Sequence, residues 1–334
     1  MRISYSGQSM YSTCPYKYKL HYIERLRGPN IPSPLFFGSA LDEAFSHLLA
    51  TKKLELSEEE LTAQLTETPE TIFEKKMLEI THNGEVVKLS VSPFAEYFAS
   101  DFSPELINKN HLKQLQSVEK SFTLVDFLDF HEQSREILKA KQKLDLEDKI
   151  LYNYMNWLSL VEKGKLMISA YRTDILPQIS EVFSIQKKVS IFNESGDEIN
   201  GLIDFTASFA DQPDTTYVCD NKTSSKPYQA DSVVTSEQLS TYCEAENLKT
   251  AAYVVIEKKL FKNSPKIRSQ IIKSAIPEET FQKTFDNFEK TVYNIENGNF
   301  PKDNSGCFAF GRTCEFYRYC KHGKKDGLVQ LEKK

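Results

Sequence analysis

The chain has 334 residues, of which 40% are hydrophobic and 27% are charged, and its formal net charge is −5. This composition is typical of a soluble globular protein with a large core, and no run of about 20 apolar residues is present that would cross a membrane. The start of the chain lacks an apolar signal-peptide core, so we expect a cytoplasmic protein, or one of the host cytoplasm if it is viral. In that compartment the six cysteines are expected to be reduced or metal-bound, which excludes a disulfide framework.

Charge is distributed unevenly along the chain. Residues 310–334 contain seven Lys and Arg residues against three acidic ones, and the N-terminal end is also basic. The acidic excess lies elsewhere, as in residues 54–60 and 145–148. The negative net charge therefore does not exclude nucleic-acid binding, because binding depends on the electrostatic potential of local surface patches. The alternative is an ordinary solvated surface.

The predicted elements follow in chain order. Helices are predicted over residues 5–24 and 37–50, followed by a long stretch of helical pattern. Alternating apolar and polar residues then predict a hairpin, 182–192 and 198–209, and further elements, namely a strand at 216–222, a helix at 236–248, a strand at 251–257 and a helix at 278–297. This order indicates an α/β fold with a mixed sheet flanked by helices.

Four parts follow from these elements. Residues 1–50 are expected to form the N-terminal part of the main domain. Residues 51–175 are expected to form an α-helical insertion or lobe that covers a groove in that domain. Residues 176–300 form the α/β core. Residues 301–334 form a C-terminal cysteine segment with a basic tail.

Acidic residues and a lysine in the second half suggest metal-dependent chemistry. Asp220 and Lys222 occupy alternate positions of a predicted strand, so both side chains leave the same face, and Asp204 on the preceding strand is placed to lie beside them. Paired carboxylates suit Mg²⁺ or Mn²⁺, and a neighbouring lysine can orient a water or stabilise a phosphoryl group in transition. The alternative is a surface residue at Asp204 and a strand-end ion pair between Asp220 and Lys222.

Gln238 and Tyr242 lie four residues apart on the following helix and therefore share a face. Both side chains are of a kind that contacts a phosphate or a base. The alternative is an ordinary helix surface.

Four cysteines lie at the two ends of the chain. Cys14 is alone near the start, and Cys307, Cys314 and Cys320 follow the spacing C-x6-C-x5-C. Four thiolates complete the ligand shell of one [4Fe–4S] cluster or of one Zn²⁺. The two remaining cysteines, at 219 and 243, lie in apolar segments and are expected to be buried thiols without a function.

In their order along the chain, these residues resemble the motifs of the RecB-like branch of the PD-(D/E)xK nuclease superfamily. The resemblance is strongest to its iron–sulfur members, which include CRISPR-associated spacer-acquisition exonucleases, the AddB nuclease domain and related phage exonucleases. The matching segments are Ser4-Tyr5-Ser6, Tyr11, Cys14-Pro15-x-x-Tyr18, Phe37-Gly38-Ser39-Ala40-Leu41-Asp42, Gly201-Leu202-Ile203-Asp204, Asp220-Asn221-Lys222, Gln238-x-x-x-Tyr242 and Phe300-Pro301. Two features depart from the family: Asp42 stands where the family has His, and the cysteine spacing is looser than C-x2-C-x5-C.

The resemblance implies a restriction-endonuclease-like core and a role for each motif. It implies that Mg²⁺ or Mn²⁺ is held by Asp42, Asp204, Asp220 and the backbone carbonyl of Asn221. Lys222 would assist the nucleophilic water, and Gln238 and Tyr242 would position substrate. A structural [4Fe–4S] cluster, with Zn²⁺ as the alternative, would be held by Cys14, Cys307, Cys314 and Cys320 and would join the first helix to the tail.

The resulting expectation is a metal-dependent DNA exonuclease that acts on single strands or DNA ends. The alternative is a module that binds DNA ends without cutting, or a nuclease subunit of a helicase or recombination complex. A third reading is a zinc-stapled interaction protein. No G-x-x-x-x-G-K-[ST] motif occurs in the chain, so any coupling to ATP requires a partner.

Overall fold

The fold is built on a mixed sheet with helices on both faces. The computed structural model describes residues 1–27, 33–55, 67–77, 79–82, 85–88, 146–259, 266–311, 313–325 and 328–331. Its helices are α1 (Tyr5–Thr13), α2 (Pro15–Tyr18), α3 (Ser33–Lys53), α4 (Pro69–Met77), α5 (Leu146–Ala170), α6 (Glu237–Glu246), α7 (Glu278–Glu296) and α8 (Tyr317–His322). Its strands are β1 (Arg2–Ser4), β2 (Leu26–Arg27), β3 (Glu79–His82), β4 (Glu85–Lys88), β5 (Ile179–Phe192), β6 (Glu198–Phe209), β7 (Gln212–Ser224), β8 (Thr250–Glu257), β9 (Ser269–Ala275) and β10 (Val329–Gln330).

Strand β6 is the point at which the central sheet forks. One of its edges pairs along nearly its whole length with β5, antiparallel. The other edge is shared: β1 pairs in parallel with residues 198–200, and β7 pairs antiparallel with residues 205–209. Beyond β7 the sheet continues with β8, parallel, and β9, antiparallel. The stretch from Gly201 to Asp204 therefore lies between the two paired parts of this edge, where neither β1 nor β7 pairs with β6.

Apolar side chains cover both faces of this sheet. On one face a cluster built from α3, α4, α5 and the sheet includes Phe45, Tyr171, Phe205 and Cys219. On the other face α6 packs through residues such as Leu239 and Tyr242. A third cluster joins α1 and α2 to α7. This arrangement confirms the predicted mixed α/β sheet flanked by helices.

The helix boundaries follow from local capping. Ser4 begins α1 because its hydroxyl accepts the amide of Gly7 at 3.0 Å, and Ser236 begins α6 in the same way through Leu239 at 3.1 Å. Asn247 ends α6 in the left-handed conformation, with φ of 53°, which asparagine tolerates. These caps place Tyr5 and Gln238 on the first turns of their helices.

The stretch whose pattern predicted helices contains a hairpin. β3 and β4 pair antiparallel from Glu79 with Lys88 to His82 with Glu85, so the helical expectation is wrong for these residues. The intervening Asn-Gly pair is a favoured hairpin sequence that the helical interpretation overlooked. Most of residues 51–175 lies outside the described ranges, so the predicted lobe and its boundaries stay predictions. None of the helices in the described ranges is long and apolar enough to cross a membrane.

Candidate active site

The fork in the sheet brings Asp204 and Asp220 together. The last paired residues of β6 and β7 on this side are Phe205 and Cys219, so each aspartate lies one residue past the end of the ladder. A carboxylate oxygen of Asp204, Oδ2, accepts the backbone amide of Asn221 at 2.7 Å. Asp220 is 2% exposed. Two acidic side chains thus meet at a place where Asp220 is buried and Asp204 is half-buried.

Helix α3 supplies a third carboxylate. Asp42 Oδ2 accepts a hydrogen bond from Nε2 of Gln186 on β5 at 3.0 Å. Its other oxygen, Oδ1, is buried and has no hydrogen-bond partner among the residues that the structure describes. Asp42 thus stands at the helix position predicted from the sequence, and it is close enough to Asp220 for the two charges to interact.

The surroundings of these three acids disfavour their charged forms. Burial, followed by repulsion from Asp220 and Asp42, raises the pKa of Asp204 to about 8. Burial also raises the pKa of Asp42, where the hydrogen bond from Gln186 opposes it, and the pKa of Asp220, where Lys222 opposes it. A divalent cation would relieve both the repulsion and the desolvation of these groups.

Each of the three carboxylates has a protein partner. Gln186 donates a hydrogen bond to Asp42, the Asn221 amide donates one to Asp204, and Lys222 forms an ion pair with Asp220. Within the described ranges, no three His, Cys, Asp or Glu side chains are already arranged to hold a metal ion. The donor set nevertheless fits Mg²⁺ or Mn²⁺, because it is made of carboxylate oxygens and includes the unpartnered Oδ1 of Asp42.

Lys222 is held firmly beside Asp220. Its Nζ lies 2.6 Å from Asp220 Oδ2 and donates to Gln238 Oε1 at 3.0 Å. It also lies 5.6 Å from the centre of the Tyr253 ring. Burial by itself would lower the pKa of this ammonium, but the Asp220 carboxylate raises it above the ordinary lysine value. Lys222 is therefore a fixed positive charge at the fork.

Gln238 and Tyr242 form the support of that lysine. Gln238 Nε2 donates to the Tyr242 hydroxyl at 3.3 Å, so the glutamine links the lysine to the tyrosine. The Tyr242 ring is buried against Gly201, where a Cβ would lie 2.3 Å from Cε1 of the ring. Gln238 and Tyr242 thus share the helix face predicted for them, and in this structure Gln238 contacts Lys222 while Tyr242 contacts Gln238. Their predicted role toward substrate stays a prediction.

Asn221, the middle residue of the D-x-K element, is held by a residue on the sheet face opposite α6. The hydroxyl of Tyr171 donates to Asn221 Oδ1 at 3.1 Å, and its ring stacks on Phe45 at 4.3 Å between centroids. Tyr171, Gln186 and Tyr253 were not expected from the sequence. The spacing of these residues carries no signal, because their elements reach the site only through tertiary packing.

The two ends of the chain meet at a second place, around the cysteines. One small cavity is lined by all four of the predicted ligands, Cys14, Cys307, Cys314 and Cys320, together with Lys17, Lys302 and Phe316. The backbone amide of Tyr16 donates to Pro301 O at 3.1 Å, and β2 pairs with β10. A Cβ at Gly306 would lie 3.0 Å from Thr13 Cγ2, so a glycine there permits the close approach.

The remaining thiols are separate from this cavity. Cys219 and Cys243 are fully buried in the clusters on the two sheet faces, and burial raises the pKa of both. In the described part of the chain the four cavity cysteines are free thiols, and they are not arranged around a single metal ion. The geometry brings them together without identifying a ligand.

A family model described as the PD-(D/E)XK nuclease superfamily matches residues 2–321. The chain belongs to the PD-(D/E)XK nuclease superfamily. Among solved structures, it is similar to the crystal structure of SSO0001, with 16% sequence identity and a TM-score of 0.30, over 63% of this chain and 93% of that one. A search of curated proteins finds no match.

Membership accounts for the fold and for the general class of chemistry. PD-(D/E)XK proteins are typically metal-dependent nucleases, and the central mixed sheet flanked by helices is the restriction-endonuclease-like arrangement of that superfamily. In this PD-(D/E)XK chain the acidic cleft described above lies at the fork of the sheet, where β6 and β7 separate.

Proposed function

We propose that the chain is a divalent-metal-dependent deoxyribonuclease that acts on single strands or DNA ends. The observation that carries this proposal is the convergence of Asp42, Asp204 and Asp220 beside the fixed ammonium of Lys222. A buried cluster of three acids is unfavourable by itself, and a divalent cation bound between them would relieve their repulsion.

The proposed ligands are the three carboxylates and the backbone carbonyl of Asn221. When bound, Mg²⁺ or Mn²⁺ lowers the pKa of a water and neutralises charge on a phosphoryl oxygen. Lys222 would orient an attacking water or stabilise the extra negative charge of the transition state as a point charge. Asp220 and Gln238 keep the ammonium in place, and the hydroxyl of Tyr171 holds the Asn221 side chain by a hydrogen bond.

We further propose that the four cavity cysteines hold a structural [4Fe–4S] cluster, with Zn²⁺ as the competing occupant. The proposal is supported by their convergence from residues 14 and 307–320 on one cavity, and by the basic side chains of Lys17 and Lys302 that line it. A cluster bound by four thiolates is negatively charged, so nearby ammonium groups favour it. Such a group would link α2 to the C-terminal segment and would count as folding free energy.

DNA end-labelled on either the 5′ or the 3′ strand tests the catalytic proposal. Single-stranded, duplex and closed circular substrates are incubated with Mg²⁺, with Mn²⁺ or with EDTA. We expect metal-dependent loss of label from linear substrates and little cutting of circles. Lys222→Ala is compared with a matched control, Lys226→Ala. Lys226 is an exposed lysine just past the end of β7, so the Lys226→Ala variant should cleave DNA normally.

Two results would redirect the proposal. Tight binding of DNA ends without any cleavage would favour the non-cutting module, and no binding at all would exclude a DNA substrate. Iron, sulfide and zinc analysis of anaerobically purified protein tests the cluster separately. About four irons per chain and a brown colour are expected, whereas one zinc and a colourless protein would identify the alternative.

A further inference from the structure

Gln186 has an unusual backbone conformation for a residue inside a long strand. It lies in β5 between Ile185, which pairs with Phe205, and Lys187, which pairs with Ile203. This register places it opposite Asp204. Its φ is +49°, in the left-handed region that a glutamine rarely adopts. Strain of this kind persists only where the surrounding contacts hold it, and it concentrates at functional sites.

The two side-chain hydrogen bonds of Gln186 run to helix α3. Its Nε2 donates to Asp42 Oδ2 at 3.0 Å and to Ser46 Oγ at 3.1 Å. Asp42 and Ser46 are four residues apart and therefore share one face of the helix. A primary amide nitrogen has two donors and no acceptor, so both of its hydrogens have a partner here.

This geometry leaves the Asp42 carboxylate with two different oxygens. Oδ2 is fixed by the amide, whereas Oδ1 is buried and has no partner among the described residues. A buried carboxylate oxygen without a donor is costly, and in this cleft of acids the group that would satisfy it is a cation.

We propose that Gln186 is a positioning residue of the metal site, which fixes one oxygen of Asp42 so that Oδ1 is presented to the cation. This inference rests on the proposed metal-dependent function. The strained backbone is the consequence of bringing a glutamine amide from β5 to α3. Metal ligands are generally oriented by such outer hydrogen bonds, and losing one typically weakens metal binding 10–100-fold.

Mn²⁺ titration without DNA, followed by calorimetry or by the electron paramagnetic resonance of free Mn²⁺, tests the inference. Gln186→Gly relieves the backbone strain and removes the amide at the same time. The relieved strain offsets the loss of the hydrogen bonds to Asp42 and Ser46. We therefore expect Gln186→Gly to unfold in EDTA at about the same temperature as the unaltered protein, yet to bind Mn²⁺ at least ten-fold more weakly. A purely structural role would move stability and affinity in the same direction.

Two further variants make the result specific. Ser46→Ala removes the second contact of the amide and keeps the first, so its Mn²⁺ affinity should change less than three-fold. Adding Gln186→Gly to Asp42→Ala should weaken Mn²⁺ binding no further, because the glutamine acts through the aspartate. If Gln186→Gly misfolds, Gln186→Asn serves in its place, since asparagine tolerates positive φ and its shorter amide does not reach Asp42.

The outcomes separate this inference from the proposed function. Unchanged Mn²⁺ affinity in Gln186→Gly, or additive losses in the double variant, would overturn the positioning role while leaving the nuclease assignment intact. If the unaltered protein binds no Mn²⁺ and cleaves no DNA, the proposed function itself fails.

Discussion

The ring of Tyr242 occupies the space that a side chain at Gly201 would need. A Cβ built on Gly201 would lie 2.3 Å from Cε1, 3.0 Å from Cζ and 3.1 Å from the hydroxyl oxygen of that ring. The ring is 4% exposed and so has little freedom to move away. Since Tyr242 also accepts a hydrogen bond from Gln238, which in turn accepts one from Lys222, a chain of contacts joins the glycine on β6 to Lys222 on β7.

Gly201→Ala is therefore expected to displace Tyr242 and, through Gln238, Lys222. Overpacking of this kind costs roughly 1–3 kcal/mol of unfolding free energy, and cleavage should fall more than stability alone explains. Urea unfolding and a nuclease assay check both effects. The matched control is Gly38→Ala, where a Cβ meets nothing within 4 Å and helix α3 should be unaffected or slightly stabilised. A double variant with Tyr242→Leu should regain stability without regaining activity, and failure to regain it would show that the ring is not the obstacle.

Lys222→Ala is expected to abolish cleavage while DNA binding persists. The ammonium acts on charge that develops in the transition state, so its loss should lower kcat by about 10²-fold or more. The measurement is turnover of end-labelled DNA beside binding by the same variant, with Lys226→Ala as the control. Turnover near that of the unaltered protein would remove Lys222 from the mechanism.

Asp42→His is expected to keep activity and to shift the metal preference from Mg²⁺ toward Mn²⁺. Imidazole is a softer ligand than a carboxylate, and the Gln186 amide that now donates to Asp42 can present its carbonyl oxygen to a ring N–H instead. Cleavage rates at matched Mg²⁺ and Mn²⁺ concentrations measure the shift. In Asp42→Ala, the dependence of the cleavage rate on Mg²⁺ and Mn²⁺ concentration should differ from that of the unaltered protein. If it behaves like the unaltered protein, Asp42 is not a ligand.

The metal-free protein is expected to lose stability as the pH rises, and Asp204 should be a main cause. Its pKa is raised by burial and by the neighbouring acids from 3.8 to about 8. Between these values the folded state keeps a proton that the unfolded chain has released, so the free energy of unfolding falls with increasing pH. Asp204→Asn removes the carboxyl group that binds this proton. In EDTA, the urea midpoint of Asp204→Asn minus that of the unaltered protein should therefore increase from pH 5 to pH 8. A difference that stays constant over this range would contradict the assignment.

Cys14→Ala is expected to bleach the protein, to lower its melting temperature and to weaken DNA binding. Cys14 contributes from the N-terminal end to a cavity whose other cysteines come from residues 307–320, so its loss should release the staple between the ends. Cys307→Ala, Cys314→Ala and Cys320→Ala should behave in the same way. Cys243→Ala is the control, since that thiol is buried on α6 and does not line the cavity. Full iron content and stability in Cys14→Ala would show that the four-cysteine site is wrong.

Much of the α/β core could be predicted from periodicity. The hairpin of β5 and β6, the strand that carries Asp220 and Lys222, and helices α6 and α7 all lie where alternation or helical spacing placed them. Strands β1 and β9 were not predicted, because three residues are too few to show a period and β9 alternates weakly. The Asp220 and Lys222 pair could be predicted because two positions of one strand share a face whatever the tertiary fold.

By itself the sequence determined the local geometry and the order of the motifs, since both depend on backbone periodicity and on residues close in the chain. The tertiary structure alone decided which of these motifs meet. It brought Gln186 to Asp42 across 144 positions and Tyr171 to Asn221 across 50. It also placed Tyr242 on Gly201 and Cys14 beside the C-terminal cysteines. Contacts of this kind arise from packing whole elements on a forked sheet, and no short-range spacing encodes them.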